Sequence, residues 1–570
     1  MEEIVNSLSL KEQLLELMML DIRYFGKTTA NAYLPVTKLP KELKYFLKEY
    51  PIGGITLFRE NLNNLHEIHQ LTDDLQQNSR FGRFIGIDEE GGVVTRIKGA
   101  TDMPGNMALG AINDTATTSK VANIIGHELS ALGINLNFAP CLDVNSNPQN
   151  PIIGVRSFGQ DPELVAKHGT SYIEGLHQRH IISCAKHFPG HGNVVTDTHI
   201  GDTYVHSSAV EIEKCDLKPF VAAINAQVDI IMTAHIIAPR LDNSKLFSNK
   251  LQIDVDTPTT LSHSIITKLL RGYLGYQGII MSDALDMQAI TNNFTPVEAT
   301  ILALTAGIDL ILMPLHIWDS AGIERFRDYF NTLLNICENS VELRLRIKES
   351  STRVLNLKQQ KLSNFKAPKL DIIACQAHKE FEQQTAARAI TLHKNTKKTL
   401  PWTTSTKDKI LIISANNNIA QIAYDTLESL RYLNITIQLT NVETEATLTK
   451  QIEDSDKVLV LTYNLSRNDE KLDRVINRLN HFHKPYVMLS CRNPYDILYV
   501  NDVNTNVLVY GVTGLDQTNY QISSFTLNLQ AAVTKIMQAT SIDEFNTHCP
   551  VLLEAKKKDP RTTINEVSVV

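Results

Sequence analysis

Short apolar runs, each closed by turn residues and separated by stretches with helical spacing, recur along the first 315 residues at 15–22, 53–58, 84–88, 134–140, 181–187, 229–235, 278–283 and 308–314. The runs are nearly continuous rather than alternating, as expected of strands covered on both faces in a parallel sheet. Eight strand–helix units in series predict an α/β fold of the (β/α)8 TIM barrel type. Polar side chains gather at the C-terminal ends of the runs: Asp21, Arg59, Asp88, Asp143, Lys186 with His187, His235 and Asp283. A barrel of this kind carries its chemistry on that face.

The pattern then changes. A charge-rich helical stretch at 341–362 leads into 363–370, whose Asn, Lys and Pro content reads as a linker. Strand candidates at 409–415, 434–440, 457–464, 486–491 and 505–512 follow, alternating with helical patterns such as 419–433 and 470–484. They predict a smaller open parallel α/β sandwich domain. The expected organisation is a catalytic barrel over 1–340, a helical linker over 341–370, the α/β sandwich over 371–545 and a polar tail over 546–570. After the first strand of the second domain stands Ser414-Ala415-Asn416-Asn417-Asn418, with no glycine-rich phosphate loop. Dinucleotide binding is therefore not expected, and no cofactor is called for.

Composition narrows the function classes. At 570 residues the chain needs more than one hydrophobic core and no covalent staples. A net charge of −7 with mixed signs leaves no electrostatic footprint for nucleic acid, and Lys556-Lys557-Lys558 reads as a solvated end. Cysteines 141, 184, 215, 337, 375, 491 and 549 are scattered and form no C-x-x-C pair, which points to reduced thiols. The opening 25 residues have no basic start and no long apolar run, so neither a signal peptide nor a membrane partner is expected, and the localisation expected is cytoplasmic.

The densest chemistry lies in Lys186-His187-Phe188-Pro189-Gly190-His191-Gly192, followed by Asp197-Thr198-His199. His199 has an intrinsic pKa of ~6.5, suited to giving and taking a proton near neutrality, and Asp197 is placed to orient its ring. Asp283 ends an apolar strand, where a nucleophilic carboxylate would be held rigidly; a helix N-cap is the ordinary alternative. Asp88-Glu89-Glu90-Gly91-Gly92, ending at Arg96, reads either as an acidic turn or as a place of close backbone approach to a ligand. Arg156 is a candidate fixed donor to hydroxyls. His187, His191, His199 and Asp197 offer a rival metal cluster, but their spacing is neither H-E-x-x-H nor that of a Cys/His finger and Lys186 beside them would repel a cation, so no metal is expected.

Seven ordered blocks then resemble glycoside hydrolase family 3, in its β-N-acetylglucosaminidase branch: IGGITLF at 52–58, IDEEGGVVTR at 87–96, LGINLNFAPCLDVNSNPQNPIIGVRSFGQDPE at 132–163, KHFPGHG at 186–192, DTH at 197–199, MTAHI at 232–236 and LLRGYLGYQGIIMSDALDM at 269–287. The resemblance implies Asp283 as nucleophile, His199 as acid/base with Asp197 as its partner, and Asp88, Arg96, Arg156, Lys186 and His187 as ligands of sugar hydroxyls. Glu89 stands in place of the usual Gln, Thr198 of Ser and Ala284 of a frequent second Asp, while Ile200-Gly201-Asp202 replaces a common Leu-Pro after the histidine. ARAITLHKN at 387–395 and CRNPYDI at 491–497 resemble the C-terminal domain of two-domain members, the latter as a turn that starts a helix with Pro at its first position.

The expectation is a retaining exo-β-N-acetylglucosaminidase whose partner is a carbohydrate with a terminal N-acetylglucosamine, of muropeptide or chitooligosaccharide type. An imidazole base does not repel an anionic acceptor as a carboxylate would, so a phosphorylase is the first alternative. A β-glucosidase or β-xylosidase of the same family is the second, and a catalytically silent sugar-binding protein comes from a different class. Nothing in the pattern fixes the oligomeric state.

Overall fold

The structure, a computed structural model, describes residues 2–77, 79–195, 201–440, 445–465, 467–511 and 526–553. It divides into two compact units, one made of residues 1–389 with 511–528, the other of residues 390–510 with 529–570. Among the described residues no helix is long and apolar enough to cross a membrane.

The first unit is built on eight strands: β1 (Met18–Asp21), β2 (Gly54–Thr56), β3 (Phe84–Ile87), β4 (Leu136–Asn137), β5 (Ile182–Phe188), β6 (Ile230–Thr233), β7 (Ile279–Met281) and β8 (Ile311–Leu312). Each coincides with an apolar run of the sequence, β5 extending one residue past its run to Phe188. All neighbours are parallel, in the order β7-β6-β5-β4-β3-β2-β1-β8. A parallel bridge between Met281 and Leu310 joins the two ends, which makes the sheet a barrel. Its interior is close-packed: a side chain on Gly86 would meet Phe138 Cζ at 2.6 Å and Met19 Cε at 2.7 Å. The β5–β6 register breaks between Ala185 and Phe188, so Lys186 and His187 sit where the ladder is interrupted.

The helix Val341–Lys361 packs against the short helix Leu10–Glu16. Lys358 Nζ, buried, reaches Glu16 Oε2 at 2.5 Å and the Gly53 carbonyl at 2.8 Å. Asp309, before β8 and fully buried, gathers Arg271, Arg346 and Arg353 together with the Ser350 hydroxyl. The stretch expected as a linker thus forms much of the first unit's own packing, and that unit continues through Gln376–Ala389.

The second unit holds a six-stranded sheet of β9 (Thr391–Asn395), β10 (Ile410–Ser414), β11 (Ile435–Leu439), β12 (Lys457–Thr462), β13 (Tyr486–Ser490) and β14 (Thr505–Leu508), in the order β9-β14-β13-β12-β10-β11. The five strands from β10 onward are parallel, as expected; β9, which the sequence pattern did not predict as a strand, pairs antiparallel with β14. Helix Glu470–His481 buries Leu472, Val475, Ile476 and Leu479, a spacing that lays one apolar face on the sheet. Asn493 caps the short helix Pro494–Tyr499 with Pro in its first turn. Residues 554–570, with the triple lysine, lie outside the described residues.

Candidate active site

Because the strands are parallel, their C-terminal ends open on one face, and most of the expected site residues arrive there by chain direction alone. Asp88 directly follows β3, Lys186 and His187 belong to β5, and Asp283 stands two residues beyond β7. Arg156 closes the short helix Gly154–Arg156 in the long β4–β5 connection. Asp197 and His199 fall in residues 196–200, outside the described residues.

Lys186 is the hub. Its Nζ lies 2.5 Å from Asp88 Oδ1 and 2.6 Å from Glu90 Oε1. Glu90 in turn accepts from Arg156 Nε at 3.0 Å and Nη2 at 2.7 Å, a bidentate pair. Lys186 and Glu90 side chains are each 2% exposed, whereas Asp88 is 29% exposed. The buried pair therefore fixes the geometry, and Asp88 is the carboxylate of the network that solvent reaches. Burial opposes the charge on Glu90, yet Arg156 and Lys186 outweigh it and hold the carboxyl well below the usual range. Burial likewise pulls Lys186 down, but Asp88 and Glu90 raise it further, so its cation persists at any working pH. Arg96 Nη2 lies 3.9 Å from Asp88 Oδ2, at the rim of this network.

A second cluster orients His187. Its Nδ1 is 2.7 Å from Asp143 Oδ2, while Asp143 Oδ1 accepts from the backbone N–H of His191 at 2.6 Å and, more loosely, from that of His187 at 3.3 Å. The imidazoles and N–H groups overcome the cost of burial and keep Asp143 ionised. The Asp143 carboxylate thus fixes the imidazole through Nδ1 and leaves Nε2 as the ring's other polar atom. Cys141 Sγ also donates to Asp143 Oδ2, at 3.1 Å. The donor atoms of Cys141, Asp143 and His187 lie within 4.8 Å of one another, but they are already paired among themselves through Asp143. Burial lowers His191 to about 4, which leaves it neutral. The turn between these histidines needs its glycine: Gly190 has φ +133°, and a Cβ there would meet Asp216 Cβ at 2.6 Å.

Asp283 Oδ1 accepts from the Ala284 N–H at 2.8 Å. The Ala284 carbonyl accepts in turn from His235 Nε2 at 2.9 Å, and His235 Nδ1 meets Thr260 Oγ1 at 2.8 Å. The strand-end histidine of β6 thus holds the backbone that carries Asp283.

The sequence pattern expects Asp88, Lys186, His187 and Asp283 at strand ends on one face, and the family resemblance adds Arg96 and Arg156 as ligands of the sugar. The pattern had not singled out Glu90, the anion that Lys186 and Arg156 share, and had marked Asp143 only as a strand-end residue. Their signal was the polar position after a strand, but their partners lie far along the chain, 66 residues away for Arg156 and Glu90.

The model of the glycosyl hydrolase family 3 N-terminal domain matches residues 9–357. This chain belongs to glycosyl hydrolase family 3. As a member of that family it is a glycoside hydrolase. It is 40% identical over 405 residues to beta-hexosaminidase A of Pseudoalteromonas piscicida, covering 68% of each chain. The family 3 β-N-acetylglucosaminidase of Paenibacillus sp. str. FPU-7 superimposes with a TM-score of 0.76 at 30% identity, over 96% of this chain and 99% of that one. A fungal multi-domain family 3 β-N-acetylglucosaminidase gives a TM-score of 0.79 at 28% identity over 96% of this chain, which spans 61% of the fungal protein's length. The family 3 fold accounts for both the barrel and the open second sheet.

Proposed function

We propose that the chain is a retaining exo-β-N-acetylglucosaminidase. The observation that carries the reading is the network of Asp88, Lys186, Glu90 and Arg156 at the ends of β3 to β5, with Asp283 on the same face at the end of β7. Fixed, buried charges that leave one carboxylate accessible suit a ligand of many hydroxyls, each able to donate and accept. Asp283 attacks the anomeric carbon from the rigid strand end, and the bond to the leaving oxygen breaks as His199 protonates it, with Asp197 orienting the ring. Water, deprotonated by the same His199, then displaces Asp283 and releases the sugar with its original anomeric configuration. The hexosaminidase names of its relatives support N-acetylglucosamine as the terminal sugar, with muropeptide or chitooligosaccharide fragments as the substrate class.

The test compares para-nitrophenyl β-N-acetylglucosaminide with the matching glucoside and xyloside. We expect kcat/KM for the N-acetylglucosaminide to exceed the others by at least about tenfold, a difference of about 1.4 kcal/mol in transition-state binding. Equal or greater efficiency on the glucoside would replace the reading with that of a β-glucosidase.

A further inference from the structure

In the second unit, β10 leads through helix Asn417–Ser429 to β11 on one side, whereas β12 lies on the other side of β10 and leads through Glu470–His481 to β13. The chain therefore diverges between β10 and β12. In an open parallel sheet such divergence leaves a crevice beyond the carboxyl ends of the two strands, where ligands of this architecture bind. A cavity of about 240 Å³ occupies that place, the share of roughly eight waters in the liquid. Ser414 at the end of β10 and Asn416 beyond it line the cavity, with Thr440 after β11, Thr462 at the end of β12 and Tyr463 beyond it, and Asp469 and Lys471 at the next helix.

The lining selects against an anion. A phosphate at such a crevice needs open helix N–H groups and a glycine turn that lets the backbone approach. Here Asn416 Oδ1 already accepts from the N–H groups of Asn418 at 3.0 Å and Ile419 at 3.2 Å, and Asp469 Oδ1 from those of Lys471 and Leu472, both at 3.0 Å. Residues 414–418 contain no glycine. Asp469 and Lys471 offset each other in charge. What remains is a few hydroxyls and one amide among the apolar side chains of Ile413, Leu461, Leu465 and Leu472, together with Tyr463, whose hydroxyl accepts from Arg492 Nη1 at 3.2 Å. A largely apolar lining that includes Tyr463 and a few neutral hydrogen-bonding groups matches an uncharged, hydroxylated ring.

We propose that this crevice binds an uncharged ligand the size of one monosaccharide, as a site of the second unit's own. The test is equilibrium dialysis of the full chain with labelled N-acetylglucosamine and, separately, labelled glucose, counting equivalents bound. One sugar equivalent beyond the barrel's is expected, with a dissociation constant of about 1 mM or tighter. Ala415→Trp, which fills the cavity from an exposed position, should remove that equivalent, and Tyr463→Ala should weaken it at least about tenfold. Both variants should hydrolyse para-nitrophenyl β-N-acetylglucosaminide at the parent rate, which also reports that the chain is folded. A single equivalent in the parent, an extra equivalent that survives both substitutions, or binding of inorganic phosphate or AMP that Ala415→Trp removes while the extra sugar equivalent is missing would each overturn the proposal.

Discussion

Glu89 stands where the family resemblance leads one to expect glutamine, and its surroundings make it act as one. Burial raises its pKa to about 8, against a reference of 4.5, and the carboxyl accepts from the Arg96 N–H at 2.9 Å. The folded state therefore holds a proton between pH 4.5 and 8 that the unfolded chain has lost. Its contribution is complete below the unfolded value and disappears as pH rises through the folded one, at about 1.4 kcal/mol per pH unit across that window. Glu89→Gln should remove this slope, so that the variant's melting temperature exceeds the parent's by most at pH 8 and by least near pH 4.5. Superimposable melting curves across that range would show that Glu89 ionises normally. Lys186, His187, Asp88 and Asp283 were legible in the sequence because a polar residue that ends an apolar strand stands out. Glu90 was not, because adjacency to Asp88 and Glu89 says nothing of the two cations that meet it in space.

Among the elements, the strands were easier to read than what surrounds them. A strand covered on both faces announces itself as an apolar run, and seven of the eight barrel strands lie within the predicted ones, while β5 runs one residue further, to Phe188. β9 escaped because Thr391-Leu392-His393-Lys394-Asn395 is a polar edge strand with a register shift inside it. Helix Val341–Lys361 was recognised as a helix but expected in a linker, since its many charges mask the contacts that Lys358, Arg346 and Arg353 make with buried carboxylates. The Lys358–Glu16 pair is buried on both sides, so removing one partner strands the other. Glu16→Gln should destabilise the first unit by about 3–5 kcal/mol, read as a lower urea midpoint of the transition that abolishes activity. A change below about 1 kcal/mol would mean that the pair behaves as a solvated surface bridge.

At the scale of the whole molecule, the groups assigned to catalysis and sugar binding all lie between Asp88 and Asp283, while the first unit runs on to Ala389. Its last helix is tied down by Glu128, whose Oε1 accepts from His378 Nδ1 at 2.6 Å and from the Ala374 N–H at 2.9 Å. A chain of residues 1–389 should therefore melt higher than one of residues 1–365, which lacks these bonds, and both should keep the parent's turnover per folded molecule. Loss of turnover in a 1–389 chain that still melts cooperatively would mean that residues beyond 389 complete the site. In the proposed mechanism Asp283 forms a covalent bond to the sugar. Incubation with a fluorinated N-acetylglucosaminide that slows the second step, followed by proteolysis and mass spectrometry, tests it directly. One stable glycosyl adduct per chain is expected, on the peptide carrying Asp283 and absent from Asp283→Ala; an adduct on another residue, or turnover with no adduct at all, would overturn the assignment of Asp283 as nucleophile.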